Sequence, residues 1–265
     1  MTLLSDQAET VRTLVESTDP GAVWAAGGPE GAEAGSPGPD PGAVSGSPGS
    51  DPDAPALDVD GLAAVLALWP VVGSLVDEGV LSLHTPLAAY GEPVAADAPA
   101  GTTAHHLLTR PGGAAALTRL VERLTGSPLA ELADVRVWRP LGMSGTRFDS
   151  GRLHAPLADL IRFLTRLLHP DGTADGPSPL THAWTAESLR IRTGELTPAR
   201  GLLWQPAPHG VWTHHGPTDP GPALWVSPRH GRWAVLLPSG AAPDGPLRSA
   251  FREAVFAAPA VVPRV

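Results

Sequence analysis

The chain has 265 residues, of which 30 are glycine and 31 proline, and carries a formal charge of −9 at pH 7. All 18 basic residues are arginine, lysine, cysteine and asparagine are absent, and Tyr90 is the single tyrosine. These counts exclude a P-loop lysine, a Schiff-base lysine, a cysteine nucleophile, a thiolate metal site and a disulfide framework, and the acidic balance argues against nucleic acid as a partner, because phosphate contacts need a basic face.

Lysine codons are poor in G and C, so a GC-rich genome explains arginine replacing lysine on the surface. At a catalytic site the two are not interchangeable, since only lysine gives up its proton readily. With 42% apolar residues the length supports a real core in one or two domains. No uninterrupted apolar run reaches membrane-spanning length, and Met1–Glu16 holds Asp6, Glu9 and Arg12 rather than an apolar leader core. No membrane association and a cytoplasmic location are therefore expected.

In chain order, Ala8, Val11, Leu14 and Val15 predict a helix over residues 5–17. A short apolar piece, Gly21–Ala26, completes an N-terminal unit, residues 1–26. From Gly27 to Pro55, 15 of 29 residues are Gly or Pro. No periodicity survives there, so residues 27–55 are expected to form a disordered loop. The remaining domain, 56–265, divides into a helical region (56–200) and C-terminal strands with a closing helix (201–265). Leu62, Val65, Leu66, Trp69, Gly73 and Val76 share one helical face, with Gly79 as the stop and Pro70 as an expected kink. A second helix carries Leu117, Leu120, Val121 and Leu124 and ends at Gly126. A third carries Leu157, Leu160, Ile161, Leu164 and Leu168 and stops at Pro170. The period then changes: 201–204, 210–214, 223–226 and 232–237 read as strands, the last two joined by a Gly-containing hairpin, and 246–256 closes the chain as a helix. The pattern implies an α+β layer fold.

Several segments, in this order, resemble the serine β-lactamase-related family of class C β-lactamases, DD-peptidases and penicillin-binding-protein-like esterases. They are Leu75–Leu87, which begins Leu-Val-Asp-Glu-Gly and ends Thr-Pro-Leu, and Thr103–Thr109 with its His-Leu-Leu-Thr. Leu120–Gly126, the Pro-Leu-Gly-Met run inside Trp138–Phe148, and Ala158–Phe163 follow. Gly201–Trp204, His214–Gly216 and Leu224–Pro228 complete the series. The resemblance implies a β-lactamase/penicillin-binding-protein-like α+β fold. In it an antiparallel sheet is flanked by N- and C-terminal helices beside a helical region, here incomplete relative to the family.

The family's chemistry implies a Ser-x-x-Lys turn, a Tyr-x-Asn or Ser-x-Asn element, and a Lys/His-Thr/Ser-Gly strand. Alignment places the nucleophile at Gly61 or Leu62 and the lysine at Ala64 or Val65, so neither hydroxyl nor amine is present. Only ten residues, Arg110–Arg119, stand where the family carries its tyrosine, and none is Tyr or Asn. Tyr90 matches a structural tyrosine, expected to pack with its hydroxyl satisfied. The remnant of the third element, His214-His215-Gly216, is the candidate binding site, with a packing role for its histidines as the competing reading.

The resemblance thus implies a degenerate pseudoenzyme acting as a binding or regulatory module. The alternative is a serine hydrolase using an unrecognised nucleophile. The ligand implied is a small ester, amide or peptide-like molecule; a protein partner is not specified. No cofactor and no metal are expected, because the doublets His105-His106 and His214-His215 lack carboxylates at matching spacing. No Gly-x-Ser-x-Gly elbow is present. Asp58 with Asp60, and Asp77 with Glu78, read as a loop and a solvated helix face, and the eight tryptophans read as buried rather than as a sugar platform.

Overall fold

The structure, a computed structural model, describes residues 3–28, 31–36, 55–91, 98–169, 178–194, 198–217, 220–240 and 246–257. In chain order, helix α1 (Leu3–Thr18) leads to strands β1 (Val23–Gly28) and β2 (Gly31–Gly35), followed by β3 (Leu57–Asp58). Helices α2 (Trp69–Asp77), α3 (Ala104–Thr109), α4 (Ala114–Thr125) and α5 (Leu129–Ala133) come next, then β4 (Arg147–Asp149) and β5 (Arg152–Ala155). Helices α6 (Leu157–Leu168) and α7 (His182–Ser188) precede β6 (Gln205–Ala207), β7 (Val211–His215), β8 (Ala223–Ser227), β9 (Arg232–Leu237) and helix α8 (Pro246–Phe256).

Strand alternation sets the layers. Trp24, Ala223, Trp225, Ala234 and Leu236 face α1 and α8, where they join Val11, Val15, Phe251 and Val255. Their neighbours Val23, Ala25, Leu224, Val226, Trp233, Val235 and Leu237 face the helical region. The antiparallel sheet, ordered β2-β1-β9-β8-β7-β6, is therefore covered on both sides. That is why β8 and β9 read as continuous apolar runs instead of alternating with polar residues. The fold is α+β, as expected. A small second sheet, β3-β5-β4, lies within the helical region, and nothing in its short strands announced it.

The expectation of a disordered loop from Gly27 fails at its start. Residues 27 and 28 finish β1, and Gly31–Gly35 pairs with it as β2 at the sheet edge. The glycines are there for the indoles. Gly35 pairs directly with Trp24 and Gly27 with Trp233, and a Cβ at either glycine would lie 2.3 or 2.4 Å from the facing ring. An aromatic ring laid over a strand glycine shields backbone that a lone glycine would expose. The rest of that tract, residues 37–54, lies outside the described residues.

Pro70 does not kink a continuous helix. A 3₁₀ turn at Asp60–Leu62 and a π turn at Ala64–Leu68 lead into α2, with the Trp69 N–H donating to the Ala64 carbonyl. Pro70 has no N–H to give the Leu66 carbonyl, and Trp138 Nε1 supplies that bond from across the core at 2.9 Å. The same device recurs at Asp134–Trp138, a π turn that ends two residues before Pro140. In both cases the wider turn absorbs the donor that proline lacks. Two further indole bonds tie this layer together: Trp184 Nε1 donates to the Trp69 carbonyl at 3.1 Å, and Trp69 Nε1 donates to Ser188 Oγ at 2.9 Å.

The helices at Ala114–Thr125 and Leu157–Leu168 form where expected, and Gly126 ends the former with φ 72°. Segment 201–204 is not a strand. Gly201 sits so close to α7 that a Cβ would lie 2.1 Å from the Ser188 carbonyl oxygen. The Leu202 N–H donates to that carbonyl at 3.0 Å and the Leu203 N–H to the Leu108 carbonyl at 2.7 Å. These bonds tie the segment to α3 and α7, and sheet pairing starts only at Gln205.

Candidate functional site

The two stretches singled out by sequence, residues 61–65 and 214–216, meet in the structure. Asp58 and Asp60 build the approach to the first. Asp58 Oδ1 accepts from the Asp60 N–H at 3.1 Å, its other oxygen pairs with Arg152, and Asp60 Oδ1 accepts from the Leu153 N–H at 3.1 Å. Burial would raise the Asp58 pKa, but the Asp60 N–H and the Arg152 guanidinium outweigh it and hold the carboxyl below its usual range. These two carboxylates fasten the 3₁₀ turn to β5.

Gly61 is the residue of that turn that faces β7. A Cβ at Gly61 would lie 3.0 Å from both Gly216 Cα and Pro222 Cγ, and one at Gly216 would lie 2.8 Å from Gly61 Cα. The two backbones touch where side chains would otherwise meet. Leu62 and Val65 are fully buried in the main core, and Ala64 is half-buried. None of these four residues, Gly61, Leu62, Ala64 and Val65, carries a polar side chain.

His214 is a core residue. Its Nδ1 lies 2.8 Å from the Leu203 carbonyl, its ring also reaches the Gly61 backbone, and it meets the Trp204 ring edge-on at 6.3 Å. Burial pushes its pKa down to about 4, against the opposing pull of the Leu203 carbonyl, with the neighbouring His215 lowering it further. The ring is thus neutral near pH 7, and with Leu203 as acceptor its proton sits on Nδ1. Leu203 adopts φ +67°, unusual for a branched residue. That conformation sends its N–H to α3 and its carbonyl to His214, so α3, the 201–204 segment and β7 form one connected unit. His215 is half-buried, and its Nδ1 lies 3.0 Å from the Gly216 carbonyl.

The other candidates have structural partners. Tyr90 accepts a bond from the Ser82 N–H at 3.1 Å, so its hydroxyl is satisfied as expected. His106 completes a capping box with Thr103: its Nδ1 accepts the Thr103 N–H at 3.2 Å, and Thr103 Oγ1 accepts the His106 N–H at 3.3 Å. Asp77 accepts from the Thr181 hydroxyl at 3.0 Å, and Glu78 pairs with Arg136 at 2.6 Å. Seven tryptophans are buried and Trp212 is half-buried, which leaves no exposed aromatic platform among them. Among the described residues no three His, Cys, Asp or Glu side chains converge as a metal site.

A separate cavity of about 410 Å³ opens beside α3, lined among others by His105, His106, Thr109, Arg110, Arg192 and Arg200. Sequence reasoning missed it. In a chain whose every permanent cation is arginine, a functional arginine has no distinguishing residue type, and Arg110 lies far along the chain from Arg192 and Arg200.

The sequence model of the beta-lactamase family matches residues 110–258, and no curated protein matches the chain. Among solved structures, the chain is similar to a beta-lactamase from Mycobacterium bovis, at 20% identity and TM-score 0.66 over 93% of this chain and 99% of that one. It is similar to a class C beta lactamase from Rhodobacter sphaeroides at 13% identity and TM-score 0.69, covering 94% and 98% of the two chains. A D-stereospecific amidohydrolase from Streptomyces sp. aligns at 14% identity and TM-score 0.67, over 96% and 98%. At these identities the structural matches speak to the fold.

Proposed function

This chain belongs to the beta-lactamase family, and from that membership we propose that it is a member without the family reaction, a pseudoenzyme acting as a binding or regulatory module. The observation that carries the reading is the contact between Gly61 and Gly216. A serine nucleophile needs room for its hydroxyl, a base within hydrogen-bond reach and space for the acyl carbon. Around Gly61 the room is taken by Gly216 and Pro222, and the chain holds no lysine to act as base in any register. In this reading His214 is a strut between β7 and Leu203, and its depressed pKa reflects burial rather than a role in proton transfer. His215 and Gly216 shape the same wall, and the small ester, amide or peptide-like ligand suggested by the family resemblance loses its covalent anchor.

The test is nucleophile trapping. Incubation with a fluorescent penicillin and with a fluorophosphonate should leave the intact mass unchanged, and nitrocefin and p-nitrophenyl esters should hydrolyse no faster than in buffer. A stoichiometric acyl adduct on any serine would overturn the reading.

A further inference from the structure

We infer that the capping box formed by Thr103 and His106 is an acid-sensitive lock: a proton taken up by His106 releases the start of α3 and, through Leu203, loosens the His214 side of the Gly61 wall. The lock stands on its own geometry, whereas its use as regulation of that wall rests on the reading of the chain as a binding module.

Proton placement makes the box sensitive. His106 is the third residue of α3, and its Nδ1 accepts the Thr103 N–H at 3.2 Å while Thr103 Oγ1 accepts the His106 N–H at 3.3 Å. A neutral imidazole that accepts at Nδ1 carries its one proton on Nε2, so a second proton must land on the nitrogen inside the box. The imidazolium is a donor at both nitrogens. Its Nδ1–H would face the Thr103 N–H, donor against donor, and that half of the box opens. Histidine is the side chain that changes charge between pH 5 and 8, and His106 is only half-buried. Glutamate or glutamine, the usual residue at this position of a capping box, would hold the same bond without this sensitivity. Stability from the box is therefore present while the ring is neutral. It is lost as the pH falls, because the opened helix start takes up a proton that the closed one excludes.

Release at this point travels because α3 is short. It has 6 residues, and a helix of that length does not persist on its own hydrogen bonds. Its Leu108 carbonyl accepts the Leu203 N–H at 2.7 Å, and the Leu203 carbonyl accepts from His214 Nδ1 at 2.8 Å. Leu203 is held at φ +67°, a conformation that a branched residue keeps only where its surroundings over-determine it. When α3 lets go, Leu203 relaxes, and the His214 ring, which also reaches the Gly61 backbone, loses its anchor. The titratable and charged groups described around the helix start are His105, its ring centroid 6.2 Å from that of His106, His84 stacked on His105 at 5.0 Å, and Arg110, Glu187, Arg192 and Arg200. The field of all nearby charges sets the pH at which the lock opens. It does not decide whether the lock opens, since the second proton has one nitrogen to go to.

The full chain should be followed by amide hydrogen exchange with mass-spectrometric readout at about pH 7.5 and about pH 5.5, each rate corrected for the intrinsic pH dependence of exchange. In the wild type, acidification should lower the protection of segments 104–109 and 201–204 by about fivefold, the change in opening that loss of an N-cap of typical strength produces. In His106→Gln, whose side-chain oxygen can accept the Thr103 N–H but takes no proton, both segments should keep their protection at both pH values. His214 is present in both proteins, so the difference between them isolates His106. His105→Gln is the control: that ring stacks on His84 and takes no part in the box, and the acid response should survive its loss. Equal losses in the wild type and His106→Gln, no acid-induced loss in the wild type, or a response abolished as fully by His105→Gln would each overturn the inference. Opening confined to 104–109, with 201–204 unchanged, overturns it as well, because the coupling through Leu203 would be absent. Should His106→Gln lose its circular-dichroism signal at the higher pH, His106→Glu supplies the same acceptor and decides by the same comparison. Nucleophile trapping tests the lost reaction and exchange tests the lock, so either can fail without the other.

Discussion

The burial of His214 makes a quantitative statement about stability and pH. Its pKa falls from the ordinary histidine value of 6.5 to about 4 in the fold, so the unfolded chain takes up this proton at a higher pH than the native state does. Stability from this group is complete above the unfolded pKa and is lost as the pH drops towards the folded one. A difference of that size corresponds to about 2 kcal/mol lost between about pH 7 and pH 5, growing to about 3 kcal/mol near pH 4. Other groups titrate in the same window: the His105 pKa is also lowered, by burial and its cationic neighbours. The informative quantity is therefore the difference between wild type and His214→Gln, in which the amide keeps a donor for the Leu203 carbonyl but cannot take a proton. Urea denaturation at a series of pH values should show wild type losing about 2 kcal/mol more than the variant on acidification across that first interval. Parallel curves for the two proteins would refute the argument, because they would mean His214 is accessible to protons in the fold.

Two further outcomes follow from the packing. Gly61→Ser places a hydroxyl at one of the two positions aligned with the family's nucleophile, yet it should lower stability by about 2 kcal/mol through the clash with Gly216 and Pro222 and produce no nitrocefin turnover; an unchanged urea midpoint would show that the position is open. Trp138→Phe removes the donor that serves the Leu66 carbonyl and should cost about 1–3 kcal/mol. The same change should cost less in a Pro70→Ala background, where a backbone N–H becomes available, and equal costs in both backgrounds would reject the account of the π turn.

Locally determined features were legible. α4 and α6 follow from apolar spacing, Gly126 from its helix-stopping conformation, and β8 and β9 from short apolar runs joined by a Gly-containing turn. The π turns were not legible, because proline announces only a missing donor, and which distant group satisfies the freed carbonyl depends on the folded core. β2 was invisible for a related reason. Its glycines looked like the absence of structure, and only the indole of Trp24 lying across Gly35, as that of Trp233 lies across Gly27 of β1, shows why glycine stands there. The strand expected at 201–204 was drawn from its apolar character, but its backbone bonds go to α3 and α7.

The sequence alone determined which chemistry is missing. With no lysine and no cysteine, and with Tyr90 as the single tyrosine, the chain can build neither a Ser-x-x-Lys pair nor a thiol nucleophile, which is a matter of residue identity. The tertiary structure alone decided what surrounds Gly61 and which distant residues come together. Gly61 meets Gly216, the buried His214 ring bonds to the Leu203 carbonyl, and Arg110 lines one cavity with Arg192 and Arg200. These are contacts between residues far apart in the chain. Local periodicity carries no information about them, because the free energy that brings them together comes from burying the two cores on either side of the sheet.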